Sequence, residues 1–101
     1  MKKKAPGFSQ CMKLMRSSDP QKQEDGFHFL LPNAKEHLNK LIEEFHLEKD
    51  IGLKCWLLEL ICASKSQKVL EILKSNINHE NELLKSRAIY ELKRFGYSSE
   101  K

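Results

Sequence analysis

The residues able to do chemistry in this chain are few, and their spacing does not join them. Four histidines, His28, His37, His46 and His79, are scattered along the 101 residues. His37 and His46 are nine positions apart, which is not a same-face spacing on a helix. A zinc site needs several such ligands to converge from separate elements, so exposed or capping roles are expected instead. The carboxylate pairs Glu24-Asp25 and Glu43-Glu44 are adjacent, so on a helix they point in different directions. Glu36 and Lys40 have the i,i+4 spacing of a surface ion pair. No phosphate-cradling glycine loop, nucleophile elbow, HExxH or CxxC motif is present. No catalytic residue, cofactor or metal ligand is therefore nominated, and the chain is read as non-enzymatic.

The thiols fit the same reading. Cys11, Cys55 and Cys62 leave an odd one under any pairing. On one helix Cys55 and Cys62 stand two turns apart, roughly 10 Å along the axis, whereas a disulfide needs Cα atoms within about 7 Å. Reduced cysteines acting as small hydrophobes are expected, and a cytoplasmic setting with them.

Hydrophobic residues make up 40% and charged residues 32%, a balance that suits one globular domain rather than a disordered chain. No apolar run approaches the roughly 18 residues of a membrane span. Met1-Lys2-Lys3-Lys4 imitates the basic start of a signal peptide, but Ala5-Pro6-Gly7-Phe8-Ser9-Gln10 is no continuous apolar segment, so export is not expected. The net charge is +4, and three of those charges belong to the leading lysines. The remainder is close to balanced, which weakens an inference of nucleic-acid binding from charge alone.

The elements that must position these residues are helical, since apolar periodicity is near 3.6 almost throughout. A first helix is expected over about Phe8–Arg16, with Phe8, Cys11, Leu14 and Met15 facing inward. Asp19 can cap a second, with Pro20 at its first position and Leu31 at its end, before Pro32. Asn33 is expected to cap a third, carrying Leu38, Leu41, Ile42 and Phe45. The fourth, about Lys49–Cys62, is apolar around most of its circumference and belongs mid-domain. Ser66 can cap a fifth with Val69, Leu70, Ile72 and Leu73. Asn78 is expected to cap a sixth ending near Phe95, with Gly96 as its C′ residue. Residues 1–7 read as a basic tail, 8–96 as one domain and 97–101 as a frayed end.

A shift of 31 residues brings these helices into register. Leu38, Leu41 and Ile42 fall on Val69, Ile72 and Leu73, and Leu53-Lys54 falls on Leu84-Lys85. Gly26/Leu57/Ala88, Phe27/Leu58/Ile89 and Leu30/Ile61/Leu92 form three columns, each small or apolar throughout. An up-down bundle of equal helices would also show self-similarity. The constant lag over two steps, in first and second helices alike, favours stacked hairpins.

A second helix opening with an acid, then Leu-Lys, then a small and apolar core, resembles the short bacterial HEAT-like repeats. The matching residues are Asp50, Leu53-Lys54, Leu57-Leu58 and Ile61, then Glu82, Leu84-Lys85, Ala88-Ile89 and Leu92. The resemblance covers roughly residues 19–96, and the first pair departs from it, with Lys22-Gln23 where Leu-Lys would stand. It implies an all-α superhelix of about three helical hairpins and a binding scaffold.

One position outside the core columns the same lag gives Asp25/Trp56/Arg87, and three further on His28/Glu59/Tyr90. In stacked hairpins these six residues would form one patch on the second helices. Trp, Arg and Tyr are enriched at binding hot spots, so another protein is the expected partner. The competing possibility is that Trp56 is buried against a neighbouring first helix and Arg87 pairs with Glu91. An alternative function is phosphate contact by Lys85, Arg87, Lys93 and Arg94 of the last helix, although Glu80, Glu82 and Glu91 dilute that surface.

Overall fold

The computed structural model describes residues 7–94. Among them are six α-helices and no strand: α1 (Phe8–Met15), α2 (Pro20–Leu30), α3 (Leu38–Leu47), α4 (Ile51–Ala63), α5 (Lys68–Asn76) and α6 (Glu82–Arg94). A 3₁₀ turn, Leu31–Asn33, follows α2. The helices pack as the hairpins α1–α2, α3–α4 and α5–α6, and α4 lies between α2 and α6. The fold is thus all-α, three helical hairpins in sequence order. None of these helices is long and apolar enough to cross a membrane.

The three second helices begin at Pro20, Ile51 and Glu82, one period apart. Each start carries a side-chain cap, which accepts from the second helical N–H, the third, or both. Asp19 accepts from the Gln21 N–H at 3.0 Å, Asp50 from Leu53 at 2.9 Å, and Asn81 from Leu83 at 3.0 Å and Leu84 at 3.3 Å. These bonds satisfy N–H groups that the first turn leaves without helical partners. Two residues upstream, a second side chain accepts the N–H of the cap itself. Ser17 Oγ does so for Asp19 at 3.0 Å, Glu48 Oε2 for Asp50 at 3.0 Å, and His79 Nδ1 for Asn81 at 2.9 Å. Role and register repeat while residue type changes.

A further donor position repeats in the first two hairpins, although its acceptor carbonyls are not one period apart. Gln23 Nε2 donates to the Ser17 carbonyl at 2.6 Å, and one period on Lys54 Nζ donates to the Phe45 carbonyl at 2.8 Å. Lys54 also stands 4.3 Å from the centre of the Phe45 ring. The lysine of the Leu-Lys pattern at 53–54 therefore ties α4 to the C-terminal end of α3, where a cation suits the helix dipole.

The core confirms two columns fully. Gly26, Leu57 and Ala88 are all buried, as are Leu30, Ile61 and Leu92. The third, Phe27/Leu58/Ile89, runs from half-buried through 0% exposed to 36% exposed. Leu58 lies on α4, which has a second helix on each side, whereas α6 has α4 on one side only. Gly26 is the smallest member of its column for a local reason. A Cβ there would lie 2.6 Å from the Cys11 carbonyl oxygen and 2.9 Å from Met15 Cγ, so its absence lets α1 and α2 approach closely. Met12, which the expected inner face of α1 omitted, is buried beside Cys11 and Met15.

Between hairpins, Arg16 at the end of α1 reaches Glu44 and Glu48, both at 2.8 Å. Lys68 Nζ donates to Asn39 Oδ1 at 3.0 Å and ties α5 to α3.

Several expected boundaries are corrected. Asn33 does not cap α3: it lies in the 3₁₀ turn, its amide donates to the Phe29 carbonyl, and α3 starts only at Leu38 after a further turn. The cap of α6 is Asn81 rather than Asn78, so Glu82 is the first helical residue and not the equivalent of Asp50. Ser66 accepts the Lys68 N–H at 3.2 Å, but the N-cap position of α5 is Gln67, one residue later than expected. Helix α4 closes with Lys65 at φ 57°, its N–H donating to the Cys62 carbonyl. That left-handed position usually goes to glycine. One period on stands Gly96, the expected C′ residue of α6, which lies outside the described residues, as do residues 1–6 and 97–101 of the tails.

Candidate functional site

Positions 21, 24, 25 and 28 of α2 and their equivalents on α4 and α6 form the outward stripe of the second helices. The spacing i, i+3, i+4, i+7 places them on one side, and none of the twelve residues is buried. Moving along the stack, the stripe reads Gln21, Glu24, Asp25, His28; then Gly52, Cys55, Trp56, Glu59; then Leu83, Ser86, Arg87, Tyr90. All six residues expected in the binding patch lie on it.

Three of the six share one groove. Trp56, Arg87 and Tyr90 line a depression of about 610 Å³ between α4 and α6, with Gly52, Cys55, Leu83 and Ser86. Gly52 and Cys55 leave the floor low because their side chains are small. Leu83 is 66% exposed and Tyr90 54%, so the α6 wall offers apolar area to solvent. Trp56 is half-buried, and its ring meets Phe27 of α2 at 5.1 Å between centroids. Its aromatic contact is with a second helix, whereas the competing possibility named a first one. It also borders a notch of about 230 Å³ toward the first hairpin, lined by Met15, Gln23, Asp50 and Leu53.

The other three residues of the patch stand apart from this groove. Asp25 is exposed and accepts from Gln21 of its own helix at 3.1 Å. His28 is exposed, with its ring edge-on to Phe27 at 5.6 Å. Glu59 lines a different cavity, about 530 Å³, with Leu31, Cys62, Ala63, Lys65, Glu91 and Arg94.

Arg87 is positioned by Glu91. That carboxylate, 2% exposed, accepts from Arg87 at 3.2 Å and from Arg94 at 3.3 Å. The two guanidinium groups lie 5.7 and 5.8 Å from the centre of the Tyr90 ring, near enough for cation–π attraction. A buried carboxylate with two cations thus fixes the basic wall of the groove and satisfies its own charge. Two of the four cations suggested for phosphate contact are already engaged here. Lys85 is half-buried and Lys93 exposed.

The sequence reading did not place Leu83 or Cys55 in the patch, whereas the Arg87–Glu91 pair it raised as the competing possibility is present at 3.2 Å. Leu83 sits next to core Leu84, but its spacing of four and seven from Arg87 and Tyr90 marks it as outward. For Glu91, the signal was a carboxylate with arginines at i−4 and i+3.

The thiols are not poised for reaction. Burial pushes the Cys62 pKa up to about 12, with neighbouring Glu91 adding to the rise and Arg94 and Arg87 opposing it. Burial also raises Cys55, against a smaller opposing pull from Arg87, and it raises Cys11. Thiols so protonated at neutral pH are poor nucleophiles, and none of the three is in a disulfide. Among the described residues, no group of three or more His, Cys, Asp or Glu side chains is placed to hold a metal ion.

Comparison with known proteins finds no matching family, no matching curated protein and no matching solved structure. The site must be read from its own geometry.

Proposed function

We propose that this chain is a non-catalytic protein-recognition module of the HEAT-like kind, acting through the outer stripe of α2, α4 and α6. The observation that carries the reading is the groove in which half-buried Trp56 faces exposed Leu83 and Tyr90, with Arg87 fixed beside them. A protein partner can bury the aromatic and aliphatic area at the centre and contact the polar rim. The period of 31 residues, kept in the caps as well as the core, supports the HEAT-like description, because such scaffolds repeat the interior and vary the exterior. Three thiols, none in a disulfide, suit a cytoplasmic setting.

Phosphate contact through Lys85, Arg87, Lys93 and Arg94 is the weaker alternative, since Glu91 already holds Arg87 and Arg94. Binding of that kind would weaken steeply with salt through counterion release.

The test uses the purified chain as bait, with Trp56→Ala, Arg87→Glu and a control, Lys40→Ala, on α3. A protein retained by the wild type and the control should be lost from both groove variants, each with unchanged helical circular dichroism. Undiminished retention by both groove variants would remove this face from consideration.

A further inference from the structure

The first hairpin breaks the interior repeat at one place, and a cavity lies there. At the third position of the second helices, α4 carries Leu53 and α6 carries Leu84, the one packed against the core and the other buried within it. The equivalent residue of α2 is Lys22, which is exposed. Between α1 and α2 a hollow of about 420 Å³ is lined by Lys22 with Gln10, Lys13, Leu14 and Ser17. That volume falls within the roughly 300–1,000 Å³ of small-molecule sites. None of these five residues belongs to the outer stripe, so the hollow is separate from the groove at Trp56.

Its polar lining consists of donors and cations. Two lysines line it and no Asp or Glu does. Among the described residues, neither ammonium makes an ion pair or a hydrogen bond. The nearby acids are turned elsewhere: Asp19 accepts from the Gln21 N–H, and Glu44 and Glu48 hold Arg16. Ser17 is fixed at both its oxygens, its carbonyl taking Gln23 Nε2 at 2.6 Å and its Oγ the Asp19 N–H at 3.0 Å. Its hydroxyl proton is left to donate, as is the Gln10 amide. Lys22 also stands in the first turn of α2, which holds no acid and where a cation opposes the helix dipole. A bound anion would remove that cost and neutralise both lysines. An end hairpin is expected to be polar on its outer side, which accounts for the loss of a leucine but not for two unpaired cations around a hollow without an acid.

Charge selects among the anions. A phosphomonoester carries close to two negative charges at neutral pH and so matches two ammonium groups, whereas a diester carries one. Lysine, a compact charge with three donors, suits phosphate oxygens, while the planar fork of arginine suits a carboxylate. Leu14 supplies apolar surface against which a short carbon skeleton can lie. We infer that this hollow binds a small phosphomonoester, its phosphate between Lys13 and Lys22, with Ser17 and Gln10 donating to it.

Heteronuclear NMR of the full chain, titrated with n-propyl phosphate, tests this. Backbone N–H shifts should cluster at Gln10, Lys13, Ser17 and Lys22 and saturate at millimolar concentrations or below. Dimethyl phosphate, a diester with one charge, should bind at least tenfold more weakly. Inorganic phosphate, which leaves Leu14 uncovered, should also bind more weakly, and equal affinity would overturn the ester. Lys13→Gln and Lys22→Leu should each weaken binding at least tenfold. Lys22→Leu restores the residue of the other two hairpins, so it should unfold at the same temperature or higher, and its loss of binding is then no loss of fold. The absence of a saturable shift, shifts centred instead on Arg87 and Arg94, or undiminished binding by both variants would overturn the assignment. So would equal binding of the diester. Because the hollow shares no residue with the outer stripe, any of these results leaves the protein-recognition reading where it stands.

Discussion

Along the inner side of the second helices, residues one period apart are alike, and along the outer side they are not. Gly26, Leu57 and Ala88 are all buried and apolar or small, as are Leu30, Ile61 and Leu92. One residue away on the chain, Asp25, Trp56 and Arg87 are an acid, an aromatic and a base. The inner positions answer to the same neighbour each time, because every hairpin must shield a similar apolar flank. The outer positions share no common neighbour: Asp25 accepts from Gln21, Trp56 meets Phe27 and Arg87 pairs with Glu91, so their types are free to differ. The lesson is that the interior period specifies the stack, and the departures from it outside mark where recognition is built.

The strongest way to break this contrast is to alter adjacent residues on opposite faces. Leu57→Ala removes a side chain that is 0% exposed on the central helix, and should cost about 2–5 kcal/mol. That is comparable with the whole margin of a small domain. Trp56→Ala removes a half-buried ring whose aromatic contact is with Phe27, and should cost distinctly less. Urea unfolding followed by circular dichroism measures both. Equal losses would erase the distinction between the two faces.

What could be seen in the amino-acid order divides along the same line. Helical period, the break at Asp19-Pro20 and the 31-residue lag were enough to set six helices and their pairing. The caps were harder, because Asn, Asp and Ser are frequent throughout the connections and local chemistry alone chose Asn78 over Asn81. Applying the lag from Asp50 would have selected Asn81, since the capping bond repeats with the core. The patch was legible as a stripe but not as a groove. Which of its members converge depends on side-chain size at Gly52 and Cys55, and on a buried carboxylate, Glu91, holding two arginines. Glu91 resembles any surface glutamate until its burial is known.

A smaller effect sharpens the inner half of the comparison, where Gly26 differs from its column mates. Leu57 and Ala88 show that a side chain fits at this register in the other hairpins. In the first, a Cβ would stand 2.6 Å from a backbone oxygen of α1, and backbone cannot rotate aside as a side chain can. Gly26→Ala should therefore cost about 1–3 kcal/mol, despite alanine's better helix propensity. Thermal unfolding is the measurement. A stabilised variant would mean that α1 can slide away from α2 without loss.

Between the two faces lies the capping layer, which repeats in role while changing in residue, and the smallest predicted effect tests it. Glu48 does in the second hairpin what Ser17 and His79 do in the others, and it also accepts from Arg16 of the first hairpin. Burial pushes its carboxyl upward, but the Arg16 hydrogen bond and charge and the Asp50 and Lys49 N–H groups together outweigh that, holding it below the usual range. A carboxyl lowered by folding adds stability that is complete above its unfolded value, near 4.3. It is lost as pH falls through the still lower folded value. The melting temperature should then drop on acidification below about pH 4.5, and the drop should be shallower in Glu48→Gln, which keeps an oxygen for the Asp50 N–H and has no charge to lose. The difference should correspond to about 0.2–1 kcal/mol, because the Arg16 side chain is 42% exposed and its charge is screened by solvent. Identical acid profiles for the two proteins would mean that Glu48 acts as a neutral acceptor, equivalent to Ser17, and that the ion pair joining the first two hairpins adds nothing to their docking.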